Sequence, residues 1–142
     1  MNDEPEILLV EDDKNYAEMI LMALEKRGRR GRALRVRDGA EALDYLFCTG
    51  AHADRVDAPM PKVVLLDLHM PRLDGKEVLA QLRQDPRTRA LPVFMMTGSD
   101  DDRNIAECRR LGIEGYIVKP ARFTELVDML AKVELYLAAA EN

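Results

Sequence analysis

Short apolar runs alternate with amphipathic segments five times along the chain, and this alternation restricts the fold more than any other feature. One run, VVLL in front of Asp67, is apolar without interruption, as in a strand that is covered on both faces. Between the runs, apolar residues recur at helical spacing, for example at Ala17, Ile20 and Leu24. The alternation predicts a doubly wound α/β fold, an open parallel sheet with helices on both faces.

The predicted elements occupy most of the chain, so we expect residues 1–142 to form a single domain. The predicted strands are 7–10, 33–36, 63–67, 92–97 and 115–119. The predicted helices are 15–27, 38–47, 74–84, 101–111 and 123–139, with Asp38, Asp74 and Asp101 as N-terminal caps. The second strand carries Arg at alternate positions, which is typical of a sheet edge. Residues 48–62 contain Gly, Asp and Pro and are predicted to form an exposed loop.

Polar residues follow four of the five predicted strands. They are Glu11, Asp12 and Asp13 after the first strand, Asp67 at the end of the third, Thr97, Gly98 and Ser99 after the fourth, and Lys119 after the fifth. The carboxyl ends of parallel strands meet at one edge of the sheet, where such folds bind ligands. Each residue alone has a structural explanation, since Asp13 could cap a helix and Asp67 could belong to a turn. Their joint occurrence favours a site.

These residue types point to phosphoryl chemistry. Clustered carboxylates without Cys or His nearby favour Mg²⁺ over zinc. Lys119 can pair with a carboxylate or a phosphoryl oxygen, and Thr97 can donate a hydrogen bond to another. An Asp can itself be the nucleophile and become an aspartyl phosphate. The residues alone leave open whether such a phosphate serves signalling or hydrolysis.

Charge and cysteine content limit the other possibilities. The net charge is −5, but the segment from Lys26 to Arg37 carries seven basic residues and no acid. Such a patch can bind nucleic acid, and a nucleic-acid-binding module therefore stays as an alternative. The patch lacks interleaved aromatic residues, so decoration of a helix end and an edge strand is the simpler interpretation. Cys48 and Cys108 lie far apart, and no signal peptide or membrane-spanning segment is recognisable, so we expect a cytoplasmic protein without membrane contact.

Four motifs together resemble the receiver domain of two-component response regulators. In chain order they are VEDD, DLHMPRLDG, MTGS and YIVKP. The resemblance covers about residues 6–135 and implies a flavodoxin-like sheet of strand order 2-1-3-4-5 with five helices. It also implies a signalling protein rather than an enzyme: a histidine kinase would transfer a phosphoryl group to Asp67. Small phosphodonors would support self-phosphorylation, and autodephosphorylation would end the signal.

The resemblance implies a metal site in which Asp12 and Asp67 ligate Mg²⁺ or Mn²⁺ directly. Glu11 would hold a metal-bound water, and the backbone carbonyl of His69 would be a third protein ligand. Asp13 falls one place beyond the acidic pair of the family, so we interpret it as a helix-start residue.

Further roles follow from the same resemblance. Thr97 and Lys119 would bind the phosphoryl oxygens, and the Lys119–Pro120 peptide is expected to be cis. Tyr116 matches the aromatic switch position that turns inward when Thr97 moves towards the phosphate. His69 and Ser99 occupy the two positions that tune attack of water on the phosphate.

A phosphohydrolase with an aspartyl nucleophile is the alternative in which the protein is an enzyme. Such enzymes usually carry a second Asp two residues after the nucleophile as general acid. His69 stands at that position here, and the sequence shows no lid domain.

The long 48–62 loop, the end of the chain soon after the last helix, and the motif RDGAEALDYLF resemble the small regulators paired with bacterial phytochrome kinases. The expected partners are therefore a histidine kinase, with a bacteriophytochrome as the candidate, and a downstream protein that reads the phosphorylated state.

The last predicted helix, extended over about 122–139, carries two apolar rows. The first can face the sheet and comprises Phe123, Leu126, Val127, Leu130 and Leu137. The second has heptad-like spacing and comprises Met129, Val133, Tyr136 and Ala140. The second row is either part of a broad core face or the interface of a homodimer.

Overall fold

The sheet has five parallel strands in the order β2-β1-β3-β4-β5. A computed structural model describes residues 5–28, 32–55, 58–98 and 103–140, the side chains of 139 and 140 excepted. The strands are β1 (Ile7–Val10), β2 (Ala33–Val36), β3 (Val63–Asp67), β4 (Val93–Thr97) and β5 (Gly115–Val118). The predicted flavodoxin-like order is confirmed, and the arginine-bearing strand β2 lies at an edge.

Five helices flank the sheet, and the last of them has two consecutive parts. They are α1 (Lys14–Lys26), α2 (Gly39–Phe47), α3 (Gly75–Gln84), α4 (Asn104–Leu111), and α5 (Phe123–Met129) followed by α6 (Ala131–Ala140). Leu130, between α5 and α6, keeps right-handed helical angles of φ −71° and ψ −9°. The predicted cap Asp101 lies outside the described residues.

The central strands β1, β3 and β4 are buried at every position. Alternate residues face opposite sides, so one core lies between the sheet and α2, α3 and α4, and the other between the sheet and α1, α5 and α6. Each buried Leu, Ile or Val side chain contributes roughly 1.5–3 kcal/mol to the free energy of folding. Because these strands are fixed on both faces, the residues that follow them have fixed positions at the edge of the sheet.

Three of the acidic residues cap helices, as predicted. Asp13 Oδ1 accepts hydrogen bonds from the backbone N–H of Asn15 and of Tyr16, at 2.9 and 3.1 Å. Asp38 caps α2 in the same way, and Asp74 forms a reciprocal capping box with Glu77. A cap of this kind stabilises a helix by about 1 kcal/mol.

The predicted loop at residues 48–62 contains a 3₁₀ helix, Gly50–Arg55, which contacts α2. The Arg55 guanidinium lies 3.5 Å above the centre of the Tyr45 ring and donates a hydrogen bond to the Tyr45 carbonyl. His52 Nε2 lies 3.1 Å from Glu41 Oε2. Cation–π and hydrogen-bond contacts with α2 thus order the 3₁₀ helix in a segment whose Gly and Pro content suggests irregular chain.

The second apolar row of the last helix packs mostly inside the protein. Val133 has no exposed surface, and Met129 and Tyr136 are half-buried against the same core. The Tyr136 ring meets the Phe94 ring edge-on at 6.1 Å between centroids. The side chain of Ala140 lies outside the described residues. The contacts favour the broad core face for this row.

Candidate functional site

Two buried carboxylates lie side by side at the carboxyl edge of the sheet. Strands β1 and β3 pair with Val10 opposite Leu66, so the next residues, Glu11 and Asp67, are neighbours. Glu11 has no exposed surface and Asp67 is 3% exposed, whereas Asp12 lies at the exposed rim. Carboxylate oxygens of these three acids all lie within 4.8 Å of one another. Oxygen ligands at this spacing fit a hard divalent cation such as Mg²⁺ or Mn²⁺.

Lys119 places its ammonium group between the two buried acids. Its Nζ lies 2.6 Å from Glu11 Oε1 and 3.2 Å from Asp67 Oδ2. The same Nζ lies 4.9 Å from the centre of the Tyr16 ring, and the Tyr16 hydroxyl donates a hydrogen bond to the Pro120 carbonyl at 3.1 Å. Tyr16 thus ties α1 to the turn that carries Lys119. Sequence reasoning missed Tyr16, although an aromatic residue in the first turn after the acidic motif was a usable signal.

Burial and the contacts between Glu11, Asp67 and Lys119 shift the pKa values of all three groups. Burial raises the pKa of Glu11 to about 7, and the neighbouring Asp67 charge adds to the rise while Lys119 opposes it. Burial also raises the pKa of Asp67. For Lys119, burial lowers the pKa, but the two carboxylates outweigh this and the net pKa is raised. Glu11 Oε1 is buried and lies 2.6 Å from Lys119 Nζ, its ion-pair partner. Because one ammonium faces two buried carboxylates, a further cation would find carboxylate oxygens to bind.

Thr97 and Lys119 adjoin the same point. The strand register sets Asp67 opposite Met96, and Thr97 follows Met96 at the end of β4. Thr97 is fully buried, and its carbonyl accepts a hydrogen bond from the Lys119 backbone N–H at 2.7 Å. A Cβ added to Gly98 would meet nothing within 4 Å, so there is open space beside Thr97. The structure thus brings Asp67, Thr97 and Lys119 together, as the strand pattern predicts.

The structure locates two of the three remaining predicted site residues. His69 is exposed, and its backbone N–H donates to Asp67 Oδ1 at 3.3 Å. Tyr116 is half-buried on β5, with the Arg109 guanidinium 5.0 Å from its ring centre. Ser99 lies outside the described residues.

The prediction of a cis peptide bond between Lys119 and Pro120 is wrong. The described part of the chain has no cis peptide bond, so this peptide is trans. The two isomers of an X–Pro bond differ by only about 0.5–1 kcal/mol, and a sequence motif therefore does not determine which one a structure contains.

Gly75 allows the chain to turn back under the site. A Cβ at this position would lie 2.3 Å from the Asp67 carbonyl oxygen and 2.9 Å from Leu68 Cα. Only a residue without a side chain fits against the backbone there. Gly75 thus lets α3 begin directly behind Asp67.

Four arginines of the basic segment contact acidic side chains or backbone carbonyls of the same chain. Arg27 pairs with Glu134, Arg32 with Glu6 and Arg37 with Glu41. Arg35 donates hydrogen bonds to the backbone carbonyls of Glu11 and Asp12. Arg29 and Arg30 lie outside the described residues. These contacts within the chain support the structural interpretation of the patch over nucleic-acid binding.

Among the described helices, none combines the length and apolarity that crossing a membrane requires.

Two curated relatives cover nearly the whole chain. The probable methanogenesis regulatory protein FilR2 of Methanothrix harundinacea (strain 6Ac) is 37% identical over 92% of this chain and 81% of its own length. The response regulator Rcp1 of Synechocystis sp. (strain ATCC 27184 / PCC 6803 / Kazusa) is 30% identical over 92% of this chain and 86% of its own length.

Solved structures give the same result. The phosphorylated cyanobacterial phytochrome response regulator RcpA superposes with a TM-score of 0.84 at 34% identity, covering 96% of both chains. The bacteriophytochrome response regulator RtBRR gives a TM-score of 0.78 at 41% identity, covering 90% of this chain and 76% of its own. Residues 7–131 match the response regulator receiver domain. This protein therefore belongs to the response regulator receiver domain family and is a regulator of two-component signalling.

Proposed function

We propose that Asp67 is the phosphoacceptor of this regulator and that phosphorylation depends on Mg²⁺ or Mn²⁺. The carrying observation is the cluster of three carboxylates, Glu11, Asp12 and Asp67, that faces the single ammonium of Lys119. Asp67 alone among the three ends a buried central strand, so its carboxylate is held rigidly while remaining slightly accessible. Such a fixed carboxylate suits an in-line attack on phosphorus.

Asp12 and Asp67 would hold the cation directly, with Glu11 acting through a water molecule and His69 through its carbonyl. A bound divalent cation supplies positive charge beside the oxygens of the incoming phosphoryl group. The solved structure of the Mn²⁺-bound form of response regulator Rcp1 supports this proposal. It is 28% identical to this chain and has a TM-score of 0.78.

In the transfer step, an Asp67 carboxylate oxygen forms a bond to phosphorus as the P–N bond of a phosphohistidine breaks. The imidazole nitrogen leaves with the electron pair of that bond. Lys119 exchanges a carboxylate contact for a phosphoryl oxygen, and the Thr97 hydroxyl donates to another. With acetyl phosphate the same attack breaks a P–O bond instead. Later attack of water on phosphorus releases inorganic phosphate and regenerates the carboxylate, at a rate set in part by His69 and Ser99.

The phosphoryl group would then change the surface that partners read. Movement of Thr97 towards the phosphate leaves space into which Tyr116 turns. Tyr116 is half-buried beside Arg109 of α4, so its turn would remodel the face formed by α4 and β5. Partners that bind this altered face more tightly would receive the signal.

The kinase is proposed to be a bacteriophytochrome. This choice is supported by the similarity of the chain to two bacteriophytochrome response regulators, RtBRR and AtBRR. The AtBRR structure is 38% identical to this chain and has a TM-score of 0.77. We further infer that residues 1–142 act in the cytoplasm as one receiver domain with its core at about 6–135.

A homodimer through the last helix would use its exposed side, where Leu135 is 72% exposed. Light scattering with and without a phosphoryl mimic tests the dimer, and a monomer in both states contradicts it.

The main test is incubation with acetyl phosphate and Mg²⁺, followed by intact-protein mass spectrometry. We expect one phosphate per chain, labile to hydroxylamine, and no phosphate on Asp67→Asn. The matched control is Asp85→Asn, which removes an acid that pairs with Arg87 outside the site and should leave phosphorylation unchanged. An unmodified wild-type chain, or an Asp67→Asn chain that is still modified, contradicts the proposal. Rapid turnover of varied phosphomonoesters would favour the phosphohydrolase instead.

A further inference from the structure

Arg35 holds the backbone of the acidic turn from the neighbouring strand. It lies on the edge strand β2, opposite Leu9 of β1. Its Nε and Nη2 donate hydrogen bonds to the Glu11 carbonyl at 3.0 and 2.9 Å, and Nη2 also reaches the Asp12 carbonyl at 3.2 Å. One guanidinium therefore binds the carbonyls of two consecutive acids.

This contact begins where the regular pairing of the strands ends. The backbone N–H of Glu11 donates to the Val36 carbonyl at 3.3 Å, which extends the β1–β2 pairing one residue beyond β1. Asp12 then leaves the sheet, and Asp13 begins the cap of α1. Arg35 extends the hold of β2 over this turn, so that Glu11 and Asp12 are fixed although they lie beyond the strand.

Arg35 and Lys119 meet at Glu11 but act on different atoms of it. Lys119 neutralises carboxylates, because its Nζ contacts side-chain oxygens of Glu11 and Asp67. The contacts of Arg35 with the turn go to backbone carbonyls instead. Arg35 thereby fixes the direction in which the Glu11 and Asp12 side chains leave the backbone, while it leaves their carboxylate oxygens to other partners.

We propose that Arg35 is a positioning residue for divalent-cation binding at Glu11, Asp12 and Asp67. The inference rests on the proposed cation site and adds a residue from the basic segment to it. Mg²⁺ requires near-octahedral oxygen geometry, so affinity depends on how well the ligands are held in place. The planar guanidinium can serve two carbonyls at once, whereas an ammonium acts as a point donor. The role is therefore specific to arginine.

The test compares Mg²⁺ affinities by isothermal titration calorimetry for the wild type, Arg35→Lys and Arg35→Met. Both variants should bind Mg²⁺ about tenfold more weakly, as is common for residues that orient metal ligands. The matched control is Arg37→Met, which removes a charge at the end of the same strand but whose guanidinium pairs with Glu41. Arg37→Met should keep the wild-type affinity within about twofold, since exposed charges interact weakly.

A second readout separates positioning from a loss of stability. In phosphorylation by acetyl phosphate, the Mg²⁺ concentration for half-maximal rate should rise about tenfold in Arg35→Lys, in line with its affinity. The maximal rate should return to the wild-type value at saturating Mg²⁺, because a positioning residue acts only through the cation. A maximal rate that stays low at saturation overturns the inference.

The affinities also separate this inference from the proposed site. A wild type that binds no Mg²⁺ contradicts the cation site itself. A wild type that binds Mg²⁺, together with an Arg35→Lys variant of equal affinity, overturns the role of Arg35 and leaves the site intact. Tighter binding by Arg35→Met would show that only the charge of Arg35 matters, and would overturn the inference as well.

Discussion

The two ends of strand β1 each carry a buried glutamate, and the two glutamates have opposite surroundings. Glu6, before the strand, is 4% exposed and lies 2.5 Å from Arg32 Nη2 and 2.9 Å from Lys62 Nζ. Glu11, after the strand, shares the single ammonium of Lys119 with Asp67. Among the residues that the structure describes, one end has two cations for one acid, and the other has two buried acids for one cation.

The difference separates a structural ion pair from a site. The charge of Glu6 is compensated within the protein, so that end of the sheet offers little to a cation. At the other end, burial, with the Asp67 charge adding to it, raises the pKa of Glu11 to about 7, so the ionised carboxylate is incompletely stabilised within the folded protein. A group whose charge is unmet can bind a ligand from solution, and we expect clusters of this kind at functional sites.

The largest expected effect disturbs the backbone beneath the acidic end. Gly75→Ala should lower the free energy of unfolding by about 3 kcal/mol, because its Cβ would overlap the Asp67 carbonyl oxygen. Urea denaturation measures the change. The matched control is Gly98→Ala at the same edge, where a Cβ meets nothing within 4 Å. Equal stability of the two variants would contradict the close approach.

The next effect concerns the compensated end. Glu6→Gln should lower the free energy of unfolding by about 2 kcal/mol, because a buried, charge-assisted pair becomes a neutral contact. Glu125→Gln is the control. The Glu125 side chain is 57% exposed, and its Oε1 lies 4.0 Å from Arg122 Nε, so this ion pair is weak. Thermal unfolding should rank Glu6→Gln clearly below this control. The reverse ranking would show that the charges at this end are not structural.

The acidic end should respond with the opposite sign. Without divalent cations, and at a pH well above the Glu11 pKa of about 7, Glu11→Gln removes repulsion with Asp67. Its free energy of unfolding should stay equal to the wild-type value or rise by no more than about 1 kcal/mol. A loss as large as that of Glu6→Gln would erase the contrast between the two ends.

The smallest effect concerns the support of Lys119. Tyr16→Phe removes the hydrogen bond to the Pro120 carbonyl and should cost about 0.5 kcal/mol, the lower range for a half-buried hydrogen bond. The ring beneath Lys119 remains, so phosphorylation by acetyl phosphate should slow less than in Tyr16→Leu. Tyr136→Phe, in α6, is the control for loss of a hydroxyl. Identical rates for the two Tyr16 variants would show that the ring does not support Lys119.

The acidic end of this contrast could be predicted from the sequence, because it follows from strand order, whereas the ion pairs of Glu6 were not predicted. The runs that become β1, β3 and β4 are apolar throughout, which indicates a covered parallel sheet, and such a sheet sets Glu11, Asp67 and Thr97 at one edge. The caps Asp13, Asp38 and Asp74 are equally local signals and are confirmed.

Other features depend on contacts between distant residues, which local patterns do not encode. Arg35 looks like an edge-strand arginine until the turn after β1 is in place, and Tyr16 meets Pro120 across 104 residues. The 3₁₀ helix depends on the Arg55–Tyr45 contact. Heptad-like spacing could not show that Val133 faces the core, because a broad core face produces the same pattern.

The most direct test of the central claim is a Mn²⁺ titration of the isotope-labelled protein, followed by the broadening of amide signals in NMR spectra. Glu6 and Glu11 are separated by five residues of extended chain, about 16 Å, which paramagnetic broadening resolves easily. We expect the signals of Glu11, Asp12 and Asp67 to broaden first, while those of Glu6 and Lys62 stay sharp. Equal broadening at both ends, or broadening that begins at Glu6, would contradict the account that uncompensated charge defines the site.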